Sequence, residues 1–516
     1  MKSDVKIKGG LAYDTRMVRT RYAPSPTGPF HIGAARAALF GYAFAKNSGG
    51  AFVVRIEDTD LERSDKEYER DIFENLHWLG IVPDESPETG GPWAPYRQTE
   101  RTETYARHMR TLLDRGAAFY CFHFEGELER ERKELMDAKK PPVHVCEYRS
   151  MAREEQELMR EVKESAIIRF KTPVGKTIVF SDLIRGEISF DSDILGDFSL
   201  AKALDIPLYN FAVVVDDHEM EITHVIRGED HIPNTPKQIL IIEALEFLRP
   251  QYAHLPLILG PDRSKLSKRH GAASVGEYRR DGYLSDALFN FIALLGWSPG
   301  SDKEIMSREE IVRLFSLERV GKSGAIFDIA KLDWMNGEYI RKKSSAELTK
   351  LCTPYLEDFL KFSISPDGKA IEDPRQSRDN NQFSKEYIES IIALEQPRIK
   401  KLSEIGERVE YFFRDPVYDK ELLRWKGMED NAIRESLDKS YNLISSFSVK
   451  KATISKEEIE KSFFEMIGAG DKGSVLWPLR VALTGKKASP GPFEILSVMP
   501  KKTTLKRIQA AILLVS

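Results

Sequence analysis

Arg21 to Gly33, reading Arg-Tyr-Ala-Pro-Ser-Pro-Thr-Gly-Pro-Phe-His-Ile-Gly, restricts the fold more than any other stretch. Pro24, Pro26, Gly28 and Pro29 stiffen the backbone and bar a helix there. Val18 and its neighbours can form a strand immediately before. A helix is expected from near Gly33 through Ala34, Ala35, Ala37, Ala38, Leu39 and Phe40 towards Lys46. Its small residues allow close packing on a sheet. Its first turn turns unpaired N–H groups and a positive dipole end towards the loop, which suits a phosphate. His31 adds a hydrogen-bond donor at the same place.

The apolar run Ala51 to Ile56 reads as a buried parallel strand ending in Glu57-Asp58-Thr59-Asp60. Open α/β sheets bind ligands at the carboxyl ends of their strands, so Glu57 should face the crevice of the opening loop. Asp60 or Ser64 is the expected cap of the following helix, Ser64 to Leu79. Thr99 to Arg115 has the core-like pattern of a second helix. Tyr209-Asn210 to Val215 reads as another strand, ending in Asp216-Asp217, and Ile222 to Ile226 as a further one, ending in Arg227. A helix from Asn234 to Phe247 and a strand from His254 to Leu259 follow. An acid at one strand end with Arg21 and Arg227 opposite suits an amino acid that carries a second carboxylate. Arginine holds carboxylates bidentately. Plain salt bridges are the structural alternative for each of these residues.

Pro261 to Gly271 reads Pro-Asp-Arg-Ser-Lys-Leu-Ser-Lys-Arg-His-Gly, with cations at Arg263, Lys265, Lys268 and Arg269. Four cations in nine residues suit a phosphate or simply a solvated loop. Each of the two stretches suits a phosphate by itself, the first through backbone N–H groups and the second through cations. Other glycine patterns do not. Gly468-Ala-Gly470-Asp-Lys-Gly473 follows a helix-like run rather than a strand. Gly175-Lys-Thr and Gly321-Lys-Ser lack the first glycine of a P-loop.

Between these stretches the character changes at Gly116. Cys121-Phe-His123 and His144-Val-Cys146 flank a charged helix, a set able to bind zinc tetrahedrally. A reduced Cys and His in a small packed module is the structural alternative. Ile167–Phe170, Thr177–Phe180 and Gly186–Phe190 alternate as strands. Asp286 to Trp297 is apolar and helical. Beyond Lys342 the chain reads as helices: 347–362, 385–394, 405–413, 430–445, 456–467, 475–483 and 505–514. The polar stretch 365–382 reads as a loop. Basic residues on those helices (Arg398, Lys400, Lys401, Arg480, Lys486, Lys487) suit an RNA backbone or simply a solvated face.

The chain has 516 residues and a net charge of −4, so any RNA contact needs local basic patches. Three cysteines make no disulfide scaffold and suit a reducing compartment. No apolar run of the ~18 residues needed for a membrane span appears. The first 17 residues read as a short polar extension without a secretory apolar core.

Pro24-Ser-Pro-Thr-Gly28 with His31-Ile-Gly33, together with Lys265-Leu-Ser-Lys-Arg269, resembles the two signatures of class I aminoacyl-tRNA synthetases in their glutamyl form. The fourth position of the first signature, often His, is Ala34 here. Arg55-Ile-Glu-Asp-Thr-Asp60 resembles that family's motif whose acid, here Glu57, holds the amino group of the amino acid. Arg480 to Gly485, followed by Gly491-Pro-Phe493, resembles the helical anticodon-binding region of bacterial-type members. The resemblance covers about residues 18 to 516.

This resemblance implies an α/β fold: a Rossmann-like parallel-sheet catalytic domain with an α+β insertion, then an all-α anticodon-binding region. The implied spans are an extension (1–17), a catalytic domain in two halves (18–115 and 214–258) and an inserted acceptor-binding module (116–213). A domain carrying the second signature and contacting the tRNA stem (259–341) and a helical anticodon region (342–516) complete it. It implies ATP with Mg²⁺, L-glutamate and tRNA(Glu) as substrates, in a cytoplasmic monomer. His31, Lys265 and Lys268 are the implied catalytic residues. Arg21, Ala23, Ser25, Glu57, Tyr209, Asn210 and Arg227 are implied for glutamate, and His31, Gly33, Asp230, Lys265, Ser267 and Lys268 for ATP. Some members carry zinc at the matching insertion, which supports Cys121, His123, His144 and Cys146. The alternatives are an enzyme that also charges tRNA(Gln), a glutaminyl enzyme, a tRNA-modifying paralogue and a catalytically silent RNA-binding protein. The helical tail argues against the glutaminyl enzyme and the tRNA-modifying paralogue. Intact His31, Lys265 and Lys268 argue against the silent protein.

Overall fold

The structure is a computed structural model; it describes residues 5–8, 11–14, 17–140, 142–163, 166–267, 274–360, 363–364, 370–371, 385–447 and 455–516. The first residues form a hairpin, β1 (Val5–Lys8) on β2 (Leu11–Asp14), where only an extension was expected. Then β3 (Arg19–Tyr22) leads through the proline-rich loop into α1 (Ile32–Asn47), and β4 (Ala51–Val54) follows. The helix lies tightly on the sheet because it carries glycine at position 41. A Cβ there would stand 3.3 Å from the Phe52 ring, and the Gly41 carbonyl accepts from Thr20 Oγ1 at 2.9 Å.

Next come α2 (Lys66–Leu79) and α3 (Thr102–Asp114). The cap of α2 is Asp65, not Asp60 or Ser64: Asp65 accepts from Glu67 N–H at 2.8 Å, while Asp60 accepts from Arg63. Carboxylates crowd this turn, and only the backbone path decides which one meets the free N–H groups.

The segment after Gly116 builds β5 (Ala118–Cys121), α4 (Glu125–Asp137), α5 (Arg153–Val162), β6 (Ile167–Phe170), β7 (Thr177–Asp182), β8 (Gly186–Asp191), β9 (Ser199–Ala203) and β10 (Ile206–Pro207). Strands β5, β6, β9 and β10 form an antiparallel sheet of their own. The β7–β8 hairpin does not join it.

The expected strand at Tyr209 to Val215 is instead a helix, α6 (Tyr209–Glu219). Phe211 to Val215 is buried on all sides, and a short, wholly buried apolar run carries no period that separates strand from helix. Strand β11 (His224–Gly228), α7 (Thr235–Leu245), β12 (Gln251–Leu255) and β13 (Ile258–Leu259) follow. The main sheet has six strands in the order β4-β3-β11-β12-β7-β8. The pairings from β4 to β7 are parallel, and β8 closes the edge antiparallel. From β3 the chain moves outward to β4 on one side and later to β11 on the other. That switch opens a crevice at the carboxyl ends of β3 and β11.

Short helices α8 (Val275–Arg280), α9 (Ser285–Ala293) and α10 (Arg308–Leu314), strand β14 (Ala325–Ile326) paired with β13, and α11 (Ile329–Arg341) follow. The rest is helical: α12 (Ser345–Leu360), α13 (Lys385–Glu395), α14 (Ile405–Phe413), α15 (Asp430–Ser446), α16 (Lys456–Ile467), α17 (Lys472–Thr484), α18 (Pro492–Val498) and α19 (Lys501–Leu514). One departure is the small hairpin of β15 (Ser363–Ile364) and β16 (Ala370–Ile371). Apart from Ala370 and Ile371, the expected loop 365–382 lies outside the described residues. Two compact units result, residues 1–279 with 285–329 and residues 280–284 with 330–516. Among the described residues no helix is long and apolar enough to cross a membrane.

The junction of α1 and β4 leaves no room for a side chain at Gly50, where a Cβ would stand 2.1 Å from the Val18 carbonyl oxygen. Gly50→Ala is therefore expected to destabilise the first unit by about 1–3 kcal/mol, as overpacking does. Urea titration followed by tryptophan fluorescence would measure the loss, and an unchanged midpoint would contradict the packing described.

Candidate active site

Loop 23–31 and the ends of β4 and β11 line the crevice. The Pro24 carbonyl accepts from Glu57 N–H at 2.9 Å, and the Tyr22 carbonyl accepts from Arg55 N–H at 3.0 Å. These bonds tie Ala23 and Ser25 to the acid at the end of β4. Glu57 is buried, and so are Arg21 and Arg227.

The sequence did not announce what joins them. Arg55, the residue directly after the apolar strand β4, is fully buried between three carboxylates. It lies 2.8 Å from Asp217, 3.1 Å from Glu57 and 3.5 Å from Asp216. Asp217 also takes Arg21 Nε, at 3.1 and 3.2 Å. Asp216 accepts from Arg101 at 2.7 Å, Gln98 at 2.8 Å and the Tyr105 hydroxyl at 2.9 Å. Folding Tyr209–Glu219 as a helix is what brings both aspartates inward. Burial raises the Glu57 carboxyl above its ordinary pKa, opposed by Arg55 and Arg21. Burial works to raise Asp217 as well, but Arg21 and Arg55 outweigh it and hold that carboxyl low. The one sequence signal of this network is an arginine inside an apolar run.

Arg227 differs from Arg21. Its Nε donates to His254 Nε2 at 3.2 Å and its Nη2 to Thr235 Oγ1 at 2.8 Å, both neutral partners. Its Nη1 is buried and makes no hydrogen bond among the described residues. The guanidinium carbon lies 5.7 Å from the Tyr252 ring centroid. Tyr209 shares its hydroxyl with His231 Nδ1 at 2.9 Å, and Asn210 accepts from Gln238 at 3.1 Å. Arg21, Arg55 and Arg227 set against Glu57 and Asp217 leave one positive charge over, with Asp216 matched by Arg101. One surplus cation complements a ligand with one ammonium and two carboxylates.

At the other end of the crevice His31 caps α1. Its Nδ1 accepts from Ala34 N–H at 3.2 Å, so the neutral ring donates through Nε2. Nδ1 is therefore not the phosphate donor. Desolvation lowers the pKa of His31, Lys265 lowers it further and Asp230 opposes them. His31, Lys265 and Asp230 thus act on one another across the crevice. Gly33 lies in the first turn of the helix, against the His31 ring. Lys265 is fixed by a backbone bridge to Leu259, Leu266 N–H donates to the Ile258 carbonyl at 2.9 Å, and Ser267 follows directly. Ser274 bridges His31, and Val275 N–H donates to the Phe30 carbonyl at 2.8 Å. The second basic stretch is therefore anchored at both ends beside the first. Lys268 lies outside the described residues.

Away from the crevice, one ligand atom each of Cys121, His123, His144 and Cys146 lies within 4.8 Å of all the others. His123 Nδ1 is 3.4 Å from Cys121 Sγ and 3.7 Å from Cys146 Sγ. Tetrahedral zinc needs ligand separations of about 3.3–3.8 Å, by its bond lengths. His144 Nδ1 contacts Glu131 at 2.5 Å, and its buried Nε2 has no partner among the described residues. A carboxylate on the far nitrogen is the usual support of a metal-binding histidine. These residues fit zinc.

Residues 17–334 match the model of the class I tRNA synthetases (E and Q), catalytic domain, and residues 347–512 that of an anticodon binding domain. The chain is 44% identical to a glutamate–tRNA ligase of Desulforamulus reducens, over 96% of this chain and 99% of the relative. It is 45% identical to glutamate–tRNA ligase 1 of Caldicellulosiruptor saccharolyticus, over 95% and 98%. A crystal structure of a glutamate tRNA ligase from Elizabethkingia meningosepticum, in complex with its amino acid, superposes with a TM-score of 0.84. It is 35% identical and covers 96% of this chain and 99% of its own.

Arg55 is the test of the buried network. Arg55→Met would leave Glu57 and Asp217 without their shared cation, an expected loss of about 3–5 kcal/mol. Chemical denaturation would show it as a lower midpoint. An unchanged midpoint would mean that the carboxylates find other partners.

With both domains matched and near-full-length relatives at this identity, the chain belongs to the class I aminoacyl-tRNA synthetases, in the glutamate–tRNA ligase family.

Proposed function

We propose that this enzyme activates L-glutamate with ATP and transfers it to the 3′ end of tRNA(Glu). The observation that carries the substrate is the buried Nη1 of Arg227, which makes no hydrogen bond to the described residues, in a pocket with one cation in excess. A substrate carboxylate completes that balance. Glu57 accepts the ammonium, and Arg21, held by Asp217, closes the opposite side. Ala23, Ser25, Tyr209 and Asn210 form the walls.

ATP lies along the first turn of α1, with Gly33 and Asp230 beside it and His31 donating from Nε2. The α-carboxylate attacks the α-phosphate and pyrophosphate leaves. Lys265 and Lys268, with Ser267 between them, meet the growing negative charge, and Mg²⁺ shares that task when bound. The terminal adenosine hydroxyl then attacks the adenylate carbonyl and AMP departs. Positioning and charge supply the rate, with no covalent enzyme intermediate.

Residues 116–213 are the proposed grip on the acceptor end, 259–341 the stem contact, and 342–516 the anticodon reader. The matched anticodon binding domain supports the last of these. Zinc on Cys121, His123, His144 and Cys146 would stiffen the acceptor module; its role there is structural.

ATP–pyrophosphate exchange and aminoacylation with purified tRNA(Glu) test this reading. Arg227→Gln should weaken glutamate use by ~30-fold or more and narrow the gap to glutamine. This follows from the roughly 2–5 kcal/mol lost when a buried charge pair is broken. An unchanged preference would place selection elsewhere. Independently, elemental analysis should find about one zinc per chain, lost when Cys146→Ala removes a ligand. Fully folded, metal-free protein would retire the zinc site and leave the catalytic reading untouched.

A further inference from the structure

Arg227 is held by a chain of buried groups that ends in the inserted segment. Asp182, at the end of β7, is buried, and its carboxylate is saturated. Oδ1 accepts from Ile184 N–H at 2.9 Å and Arg185 N–H at 2.8 Å, which closes the β7–β8 turn. Oδ2 takes His254 N–H at 3.1 Å and His254 Nδ1 at 2.6 Å. A carboxylate facing Nδ1 fixes the proton there. The other ring nitrogen, Nε2, is left as an acceptor, and Arg227 Nε donates to it at 3.2 Å. The His254 side chain is fully buried.

We propose that Asp182 and His254 are positioning residues for amino-acid selection. They fix the plane of the Arg227 guanidinium and leave its charge uncompensated. A carboxylate at position 254 would hold Arg227 equally well but would neutralise it, and the pocket would then prefer an uncharged side chain. A neutral imidazole accepts the hydrogen bond and leaves the charge for the substrate. Asp182 supplies the tautomer from one step further away, where its negative charge is spent on His254 and two backbone N–H groups. The inference rests on Arg227 meeting a substrate carboxylate.

Protonation of His254 converts Nε2 from acceptor to donor and turns it against Arg227. The groups around the ring are Asp182, Arg227, Arg185, Thr235, Tyr252 and Phe180, with His231 beyond Thr235. Burial lowers the His254 pKa below its ordinary value, Asp182 opposes that and Arg227 adds to it, so the ring is neutral at neutral pH. Arg227 therefore loses its acceptor only as pH falls through that lowered pKa.

The test is steady-state pyrophosphate exchange by full-length wild type, His254→Leu, His254→Gln, Asp182→Asn and Arg227→Gln, with glutamate and glutamine. His254→Leu should raise the KM for glutamate about tenfold or more and shrink the preference over glutamine, with the KM for ATP within about twofold. His254→Gln keeps an acceptor and should recover most of both. Asp182→Asn should fall between them. The part of the acid limb in kcat/KM for glutamate that His254 sets should be lost in His254→Gln, leaving the limb of the buried Glu57 carboxyl. An unchanged glutamate KM and preference in His254→Leu would overturn the proposal. So would equal losses for ATP and glutamate that His254→Gln does not recover. An Arg227→Gln enzyme with unaltered preference would remove the underlying reading as well. Loss in Arg227→Gln alone would remove only the role of Asp182 and His254.

Discussion

The active site depends on one fully buried guanidinium. Arg55 draws Glu57, two residues on past the end of β4, and Asp216 and Asp217 from α6 around a single charge. Taking such groups out of water is costly, and only close mutual pairing makes it tolerable. The crevice therefore has a fixed arrangement of charge before any substrate arrives. The same pairing gives the two other buried arginines of the crevice, Arg21 and Arg227, different standing. Arg21 already answers to Asp217, whereas Arg227 is held only by neutral groups. Among the described residues, one of the two guanidinium groups is therefore paired with a carboxylate and the other is not.

The nucleotide end is built by a different means. Among the described residues no cluster of buried ion pairs like that around Arg55 forms there. The α1 N-terminus, capped by His31, offers backbone N–H groups, and the second basic stretch is pinned beside it at Lys265 and Ser274.

The main sheet also unites parts of the chain that are remote in sequence. The β7–β8 hairpin, read as part of an inserted module, completes the edge of the catalytic sheet through β12. Its first turn carries Asp182 to His254, so the amino-acid pocket and the inserted segment share buried hydrogen bonds. The metal-fitting cluster stands apart, with Cys121 on β5 in the separate antiparallel sheet.

The sequence by itself determined the architecture and the poles of the site. Proline and glycine in the first stretch exclude a helix, alanines after it demand close packing, and strand ends place Arg21, Glu57 and Arg227 on one crevice. Local chemistry is sufficient for these because each depends on neighbours in the chain. The helices of the tail were legible for the same reason, since amphipathic spacing is a local pattern. What only the tertiary structure decided involves groups far apart in sequence. Tyr209 to Glu219 is a helix that the sequence did not reveal, because Phe211 to Val215 is buried on every side and such a run carries no period that separates strand from helix. That choice turned Asp216 and Asp217 towards Arg55 and Arg21, a pairing across more than one hundred residues. The cap of α2 fell to Asp65 rather than Asp60 because the backbone path, not composition, chose among adjacent carboxylates. The asymmetry of Arg21 and Arg227 is of the same kind: as residues they are identical, and their buried neighbours pair one with a carboxylate and the other with neutral groups.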